Sequence, residues 1–169
     1  MINRLYEIQL SYYSTLYKLL GVIEVKLRSS IPITLSNYAK SLGRDNWISV
    51  IPETARQREV IRKAIKANGG EKNGSEFFPP FSFWRYLFTK RYFNILWRPA
   101  LFQVFPGIRD KKSAKSYKEV CDSMHRAYLI RNRVAHFDFR DAGRFEAEVA
   151  TLIWLIAMMQ VEIDLVEAE

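Results

Sequence analysis

Cysteine, histidine, glycine and proline are all scarce in this chain, which has one Cys, two His, seven Gly and six Pro. A lone Cys121 closes no internal disulfide, and in a mainly apolar helical setting its thiol reads as inert core, which suits a reducing compartment. His125 and His136 cannot complete a zinc site without carboxylates, and no His-Glu-x-x-His spacing occurs. No metal or cofactor is therefore expected. The sequence contains no glycine-rich phosphate loop and no Gly-x-Ser-x-Gly elbow, which removes the common nucleotide-binding and serine-hydrolase designs.

A long hydrophobic run is missing as well. The most apolar stretch, Val149 to Val161, includes Thr151 and Gln160 and falls short of the ~20 residues that cross a bilayer as a helix. Met1 to Lys18 mixes Arg4, Glu7 and several Tyr, unlike a secretory leader. The expectation is a soluble cytoplasmic protein with no membrane partner.

What the chain does have is apolar surface, with 49% hydrophobic and 14% aromatic residues over 169 positions. That is enough to offset the entropy of folding, and residues 1–169 fit one domain. The net charge of +8 is unevenly placed. One basic run holds Arg56, Arg58, Arg62, Lys63 and Lys66, and another holds Arg109, Lys111, Lys112, Lys115 and Lys118, whereas the C-terminus carries Glu162, Asp164, Glu167 and Glu169. Such runs attract phosphate backbones through counterion release, although a merely solvated face reads the same way.

Helical spacing dominates. Leu5, Ile8, Tyr12, Leu16, Leu19, Ile23 and Leu27 recur at intervals of three and four, predicting a helix over Ile2 to Arg28. Pro32 suits a restart, giving a short second helix over Ile33 to Leu42 closed by Gly43. Trp47 anchors a loop, and Pro52 and Glu53 open a basic amphipathic helix through Ala67, stopped by Asn68-Gly69-Gly70. Glu71 to Glu76 reads as a mobile loop. The aromatic-dense stretch Phe77 to Phe105 predicts two short helices broken near Pro99 and Pro106, its rings forming core in preference to a base-stacking surface. Ser113 is a fair N-cap for a helix through about Ala135. The final helix is expected from about Asp141 through Leu165, joined to its predecessor by a turn at Phe137 to Arg140. No segment alternates with a period of two, so the class is all-α, a compact helical bundle.

Taking about 100° per residue, His125, Leu129, Asn132 and His136 share one stripe of the helix after Ser113. The plain explanation is a solvated edge, or a histidine at the helix C-terminus where the dipole favours a cation. The local company adds another, because Arg131 and Arg133 flank Asn132 within a turn of His136. A titratable imidazole beside fixed guanidinium groups suits phosphodiester chemistry, in which His moves protons and Arg binds developing phosphorane charge. Arg131 and His136 lie about 140° apart on an unbroken helix, so they converge poorly in one protomer unless His136 lies past the helix end. Pairing with a second protomer would bring them together.

Arg131-Asn132-Arg133-Val134-Ala135-His136 resembles the signature of the HEPN superfamily, an Arg with a polar neighbour and a His a few residues on. Leu16 to Ser29, LYKLLGVIEVKLRS, is similar to the first-helix pattern of its Abi-like (abortive-infection) proteins. Phe81 to Trp97, FSFWRYLFTKRYFNILW, is similar to their aromatic block, and Trp47 following Gly43 falls where these chains carry a close Gly and Trp. The resemblance spans most of the chain. It implies a bundle of the HEPN type that dimerises across the motif helix, with two Arg and two His in one cleft. It also implies a metal-independent endoribonuclease of the toxin or phage-defence kind, with RNA as substrate and an antitoxin protein or RNA as partner.

By position, the resemblance makes Arg131 the phosphate-stabilising group, His136 the proton-transfer residue and Asn132 the orienting one; Arg133 and His125 are supporting candidates from their place on the same helix. Glu24 and Arg28 match the Glu and Arg of the first-helix pattern, but Ser29 replaces its usual Asn. Toxins of the superfamily regulated by nucleotidyl modification often carry Tyr two residues after the His. Asp138 stands there instead, so that control is not expected.

Three functions fit these residues. The first is a homodimeric ribonuclease that needs no metal. The second is a non-catalytic RNA- or nucleotide-binding module with the same cleft, and the third is a structural dimerisation domain. In the first two, Arg56, Arg58, Arg62, Lys63, Arg109, Lys111, Lys112 and Lys115 would hold the RNA backbone.

Overall fold

The computed structural model describes residues 2–52, 54, 56, 58, 59, 61, 63, 79–138 and 142–161, and among these there is no strand. Helix α1 runs unbroken from Ile2 to Ser41. Its buried residues Tyr13, Leu16, Leu20, Ile23, Leu27, Ile31, Leu35 and Ala39 repeat every three or four positions, forming one apolar stripe. The expected restart at Pro32 is corrected here, because Pro32 lies inside the helix. An internal proline costs ~3 kcal/mol through its missing N–H and its ring. Burying Ile31 and Leu35 completely stabilises by about 1.5–3 kcal/mol each, which offsets that cost.

Gly43 ends α1. It adopts φ +66, its N–H donates to the Lys40 carbonyl at 3.0 Å, and the Arg44 N–H donates to Ala39 at 2.9 Å. That is the Schellman arrangement, which satisfies the last carbonyls of the helix. Asn46 then caps a single turn, Trp47–Val50, by accepting the Ile48 N–H at 2.8 Å. The turn drives Trp47 into the core, where it stacks on Trp84 and meets Phe83 edge-on.

The described residues of 56–63 are helical, as the basic amphipathic pattern requires. Arg62, Lys66 and the Asn68-Gly69-Gly70 stop lie outside the described residues, as does the Glu71 to Glu76 loop.

The aromatic stretch is core, but it is more broken than two helices. Helix α2 (Phe81–Leu87) is followed by single turns at Lys90–Tyr92, Phe93–Trp97 and Leu101–Val104, the middle one π-helical. Buried neighbours occur in pairs, Phe83 with Trp84, Leu87 with Phe88, Leu96 with Trp97, and Val104 with Phe105. A regular helix with a single buried stripe buries few adjacent pairs, and after α2, which holds Phe83, Trp84 and Leu87, the backbone rewinds between the later ones.

Helix α3 spans Ala114–Ala135. The Ser113 hydroxyl oxygen accepts the Ser116 N–H at 3.0 Å, which is the expected cap. Helix α4 spans Phe145–Met158, after one turn at Ala142–Arg144. This corrects the expected run through Leu165. Gln160 takes φ +49, and its N–H and that of Val161 fold back onto Ala157 and Ile156, so the helix closes without a glycine. The Gly107 N–H donates to the Met158 carbonyl at 2.9 Å, an approach with no room for a side chain, since a Cβ there would lie 2.9 Å from the Ala157 carbonyl oxygen.

Helix α1 packs against both α3 and α4, α3 packs against α4, and α2 lies on α3. Tyr12 of α1 stacks on Phe145 of α4 with ring centroids 4.1 Å apart. Among the described residues no helix is long and apolar enough to cross a membrane.

Candidate functional site at the end of the third helix

The motif closes α3. Val134 and Ile130 point into the core, while Arg131 and His136 are exposed and Asn132 is half-buried. His136 is the first residue past the helix, with φ −104 and ψ 7. Phe137 follows at φ +50, its N–H donating to Val134 and that of Asp138 to Arg133. This is again a Schellman ending, here with Phe at the position that usually takes Gly, so about 1–2 kcal/mol of backbone strain sits next to His136. The turn, rather than the helical period, sets the direction of the imidazole.

Arg133 plays a different part from Arg131. Its guanidinium pairs with Glu148 of α4, the two side chains being only 18% and 13% exposed, and it lies over the Tyr13 ring at 5.9 Å. The Tyr13 hydroxyl in turn donates to the Asp138 backbone carbonyl. Burial pushes the Tyr13 hydroxyl pKa up, against the lowering effect of Arg133. Arg133 thus lies inward in an ion pair with Glu148, apart from the exposed Arg131. Tyr13 and Glu148 hold α1 and α4 to the end of the motif helix, and nothing in their sequence context singled them out. Between α3 and α4 runs a groove of about 310 Å³ lined by Arg126, Leu129, Arg133, Arg144, Glu148 and Thr151, among others.

The supporting residues lie elsewhere. His125 is eleven positions before His136, about 16 Å along the helix axis. Its Nδ1 accepts a hydrogen bond from Arg85 of α2 at 2.9 Å. Arg85 also lies over the rings of Tyr86 and Tyr128. Sequence reasoning missed it, although a guanidinium inside an aromatic run is a usable signal. Glu24 and Arg28 pair with each other along α1 at 3.0 Å, roughly 16 Å along that helix from Tyr13 and so away from the motif end.

The second basic run falls at the opposite end of α3. Arg109, Lys112 and Lys115 are exposed and Lys111 is half-buried, with Lys115 roughly 30 Å from His136 along the helix. Lys112 lies over the Phe102 ring at 5.1 Å. In the first run, Arg56 and Arg58 are exposed and Lys63 pairs with Glu59 at 3.5 Å.

Cys121 is half-buried on α3, and burial pushes its thiol pKa up to about 11. Burial likewise raises the Tyr117 pKa, and the Tyr117 hydroxyl donates to the Thr89 carbonyl at 2.6 Å. Among the described residues no three His, Cys, Asp or Glu side chains gather as metal ligands would. Protein-family models, curated proteins and solved structures give no match to this chain.

Proposed function

We propose that the chain is a metal-independent endoribonuclease of the HEPN, Abi-like type, acting as a homodimer in toxin or phage-defence roles. The observation that carries this reading is the contrast at the end of α3. Arg133 is turned inward onto Glu148, whereas Arg131 and His136 are exposed and make no ion pair among the described residues. An exposed guanidinium and imidazole that the fold does not use are available for a phosphate.

In the reaction, the ribose 2′-hydroxyl attacks the adjacent phosphorus and the 5′-oxygen leaves, giving a 2′,3′-cyclic phosphate. One His136 takes the proton from the 2′-hydroxyl and its counterpart in the second protomer protonates the leaving oxygen. The two Arg131 groups hold the phosphate and its developing charge. Asn132, half-buried beside them, orients the site.

The test is cleavage of RNA by purified protein in a chelator. Arg131→Ala and His136→Ala each lower the rate by about 10²- to 10⁴-fold, and the product ends are cyclic phosphates. A His136→Ala protein that cleaves at the wild-type rate overturns the reading. Salt-sensitive RNA binding with no cleavage points to the non-catalytic module, and dimerisation with neither points to the structural domain.

A further inference from the structure

A second concave site lies away from the motif. A cavity of about 220 Å³ opens between α2 and the first basic stretch, walled by Phe83, Tyr86 and Tyr92, with Ser82 on its side and Arg56 and Arg91 also lining it. Both arginines are exposed, and the described lining residues include no carboxylate. The volume is below the roughly 300–1,000 Å³ of pockets for drug-sized ligands, so a single planar ring system suits it better than an extended molecule. Tyr86 is the half-exposed wall, with Phe83 and Tyr92 buried behind it, so a flat ring can stack on Tyr86, and the exposed Arg56 and Arg91 attract an anion attached to that ring. A nucleotide, which carries a planar base and a phosphate on one sugar, is a ligand of this kind.

The cavity is also connected to the motif helix. Tyr86, one of its walls, lies 5.4 Å from the Arg85 guanidinium. That same guanidinium reaches Tyr128 at 5.5 Å and His125 Nδ1 at 2.9 Å on α3. An arginine has only N–H donors, so His125 accepts through Nδ1. The result is a path of alternating rings and donors from the cavity to α3, which is how sequence-tolerant single-strand sites are built.

We propose that this cavity binds one nucleotide of a single-stranded RNA, its base on Tyr86 and its phosphate on Arg56 and Arg91, with Arg85 and His125 leading the strand onto α3. The inference deepens the ribonuclease reading by naming where a base of the substrate lies. Its experiment reads binding rather than cleavage, so the two can fail separately.

The probe is a fluorescent single strand of about eight nucleotides, oligoadenylate with 2′-O-methyl riboses, in which the attacking hydroxyl is blocked. Wild-type protein binds it. Ser82→Phe, which fills the cavity, and Arg91→Glu each weaken binding by about tenfold or more, while His136→Ala changes it little. Arg91→Ala lowers the slope of log affinity against log salt by about 0.7. Adenosine monophosphate competes for the site, and adenosine competes at least about tenfold less well.

Circular dichroism reports whether Ser82→Phe still folds, and if it does not, Arg91→Glu at its exposed position decides the matter. Binding by a folded Ser82→Phe or by Arg91→Glu within about twofold of wild type overturns the proposal. So does equal competition by adenosine and its monophosphate. An octamer that binds no more tightly than the monophosphate overturns the strand as occupant.

Discussion

Arg133 and Glu148 link α3 to α4 through a largely buried ion pair placed two residues after Arg131, which faces solvent. Two arginines in one short motif therefore serve different ends, and substitution separates them. Arg133→Ala removes a guanidinium from the largely buried Glu148 carboxylate and destabilises the fold by about 3–5 kcal/mol. Arg131→Ala changes stability by no more than about 0.5 kcal/mol. Urea unfolding of the two variants measures the difference, and Arg133→Met combined with Glu148→Leu recovers most of the loss. Equal midpoints for wild type and Arg133→Ala would remove the structural role assigned to this pair.

If two protomers share one cleft, activity does not scale with the fraction of intact chains. After full subunit exchange, an equimolar mixture of wild-type and His136→Ala chains holds about a quarter wild-type dimers by random pairing, and mixed dimers lack one of the two proton-transfer groups. RNA cleavage then falls well below half of the undiluted rate. A linear dependence on wild-type chains, or a stable monomer in sedimentation at micromolar concentration, counts against a shared site.

Alkali should loosen the protein before acid does anything comparable through these groups. Burial raises Cys121 from its ordinary 9.0 to about 11, and it raises Tyr117 and Tyr13 above their ordinary 10.0. Each group keeps its proton in the folded state at a pH where the unfolded chain has lost it. Their contribution is therefore complete below pH 9 and declines as pH rises through the folded values. Melting temperatures measured from neutral pH upward fall above pH 9, and Cys121→Ala removes the part of the fall between 9 and 11. The same raised pKa makes Cys121 slow to alkylate at neutral pH in the native protein and fast after unfolding.

Pro32 offers a gain in stability. Replacing it with Ala restores an N–H for the Arg28 carbonyl and removes the ring clash, raising stability by up to about 3 kcal/mol. Differential scanning calorimetry checks this. A lower melting temperature for Pro32→Ala would mean that the proline fits a bend on which the packing of Ile31 and Leu35 depends.

The parts of the fold that could be read from sequence are those where a local rule and the packing agree. The stripe from Leu16 to Leu27 and the Ser113 cap are of this kind, as is Gly43 at a positive φ. Where packing overrides the local rule, reading failed. Pro32 suggested a break, yet the buried Ile31 and Leu35 carry the helix through it. The end of α4 gave no warning because Gln160 occupies the left-handed position that Gly43 marks in α1. At the candidate site, the end of α3 next to His136 was legible from its spacing. The inward turn of Arg133 was not, because its partners Glu148 and Tyr13 stand 15 and 120 positions away. Arg85 is a similar case, since its bond to His125 spans 40 positions.

The bond from Tyr13 to Asp138 joins residues 125 positions apart, and the same distance in sequence is a distance in time. At ~5–20 residues per second of synthesis, roughly 6 to 25 s pass between the making of Tyr13 and of its acceptor. For most of that interval α1 exists without a finished α3, and throughout it without α4, so the stripe from Tyr13 to Ala39 has at first only the aromatic stretch to cover it. An all-α chain closed by such remote contacts folds more slowly than a bundle of sequential neighbours. A nascent chain stalled before Phe145 should engage holdase chaperones that release it once α4 emerges.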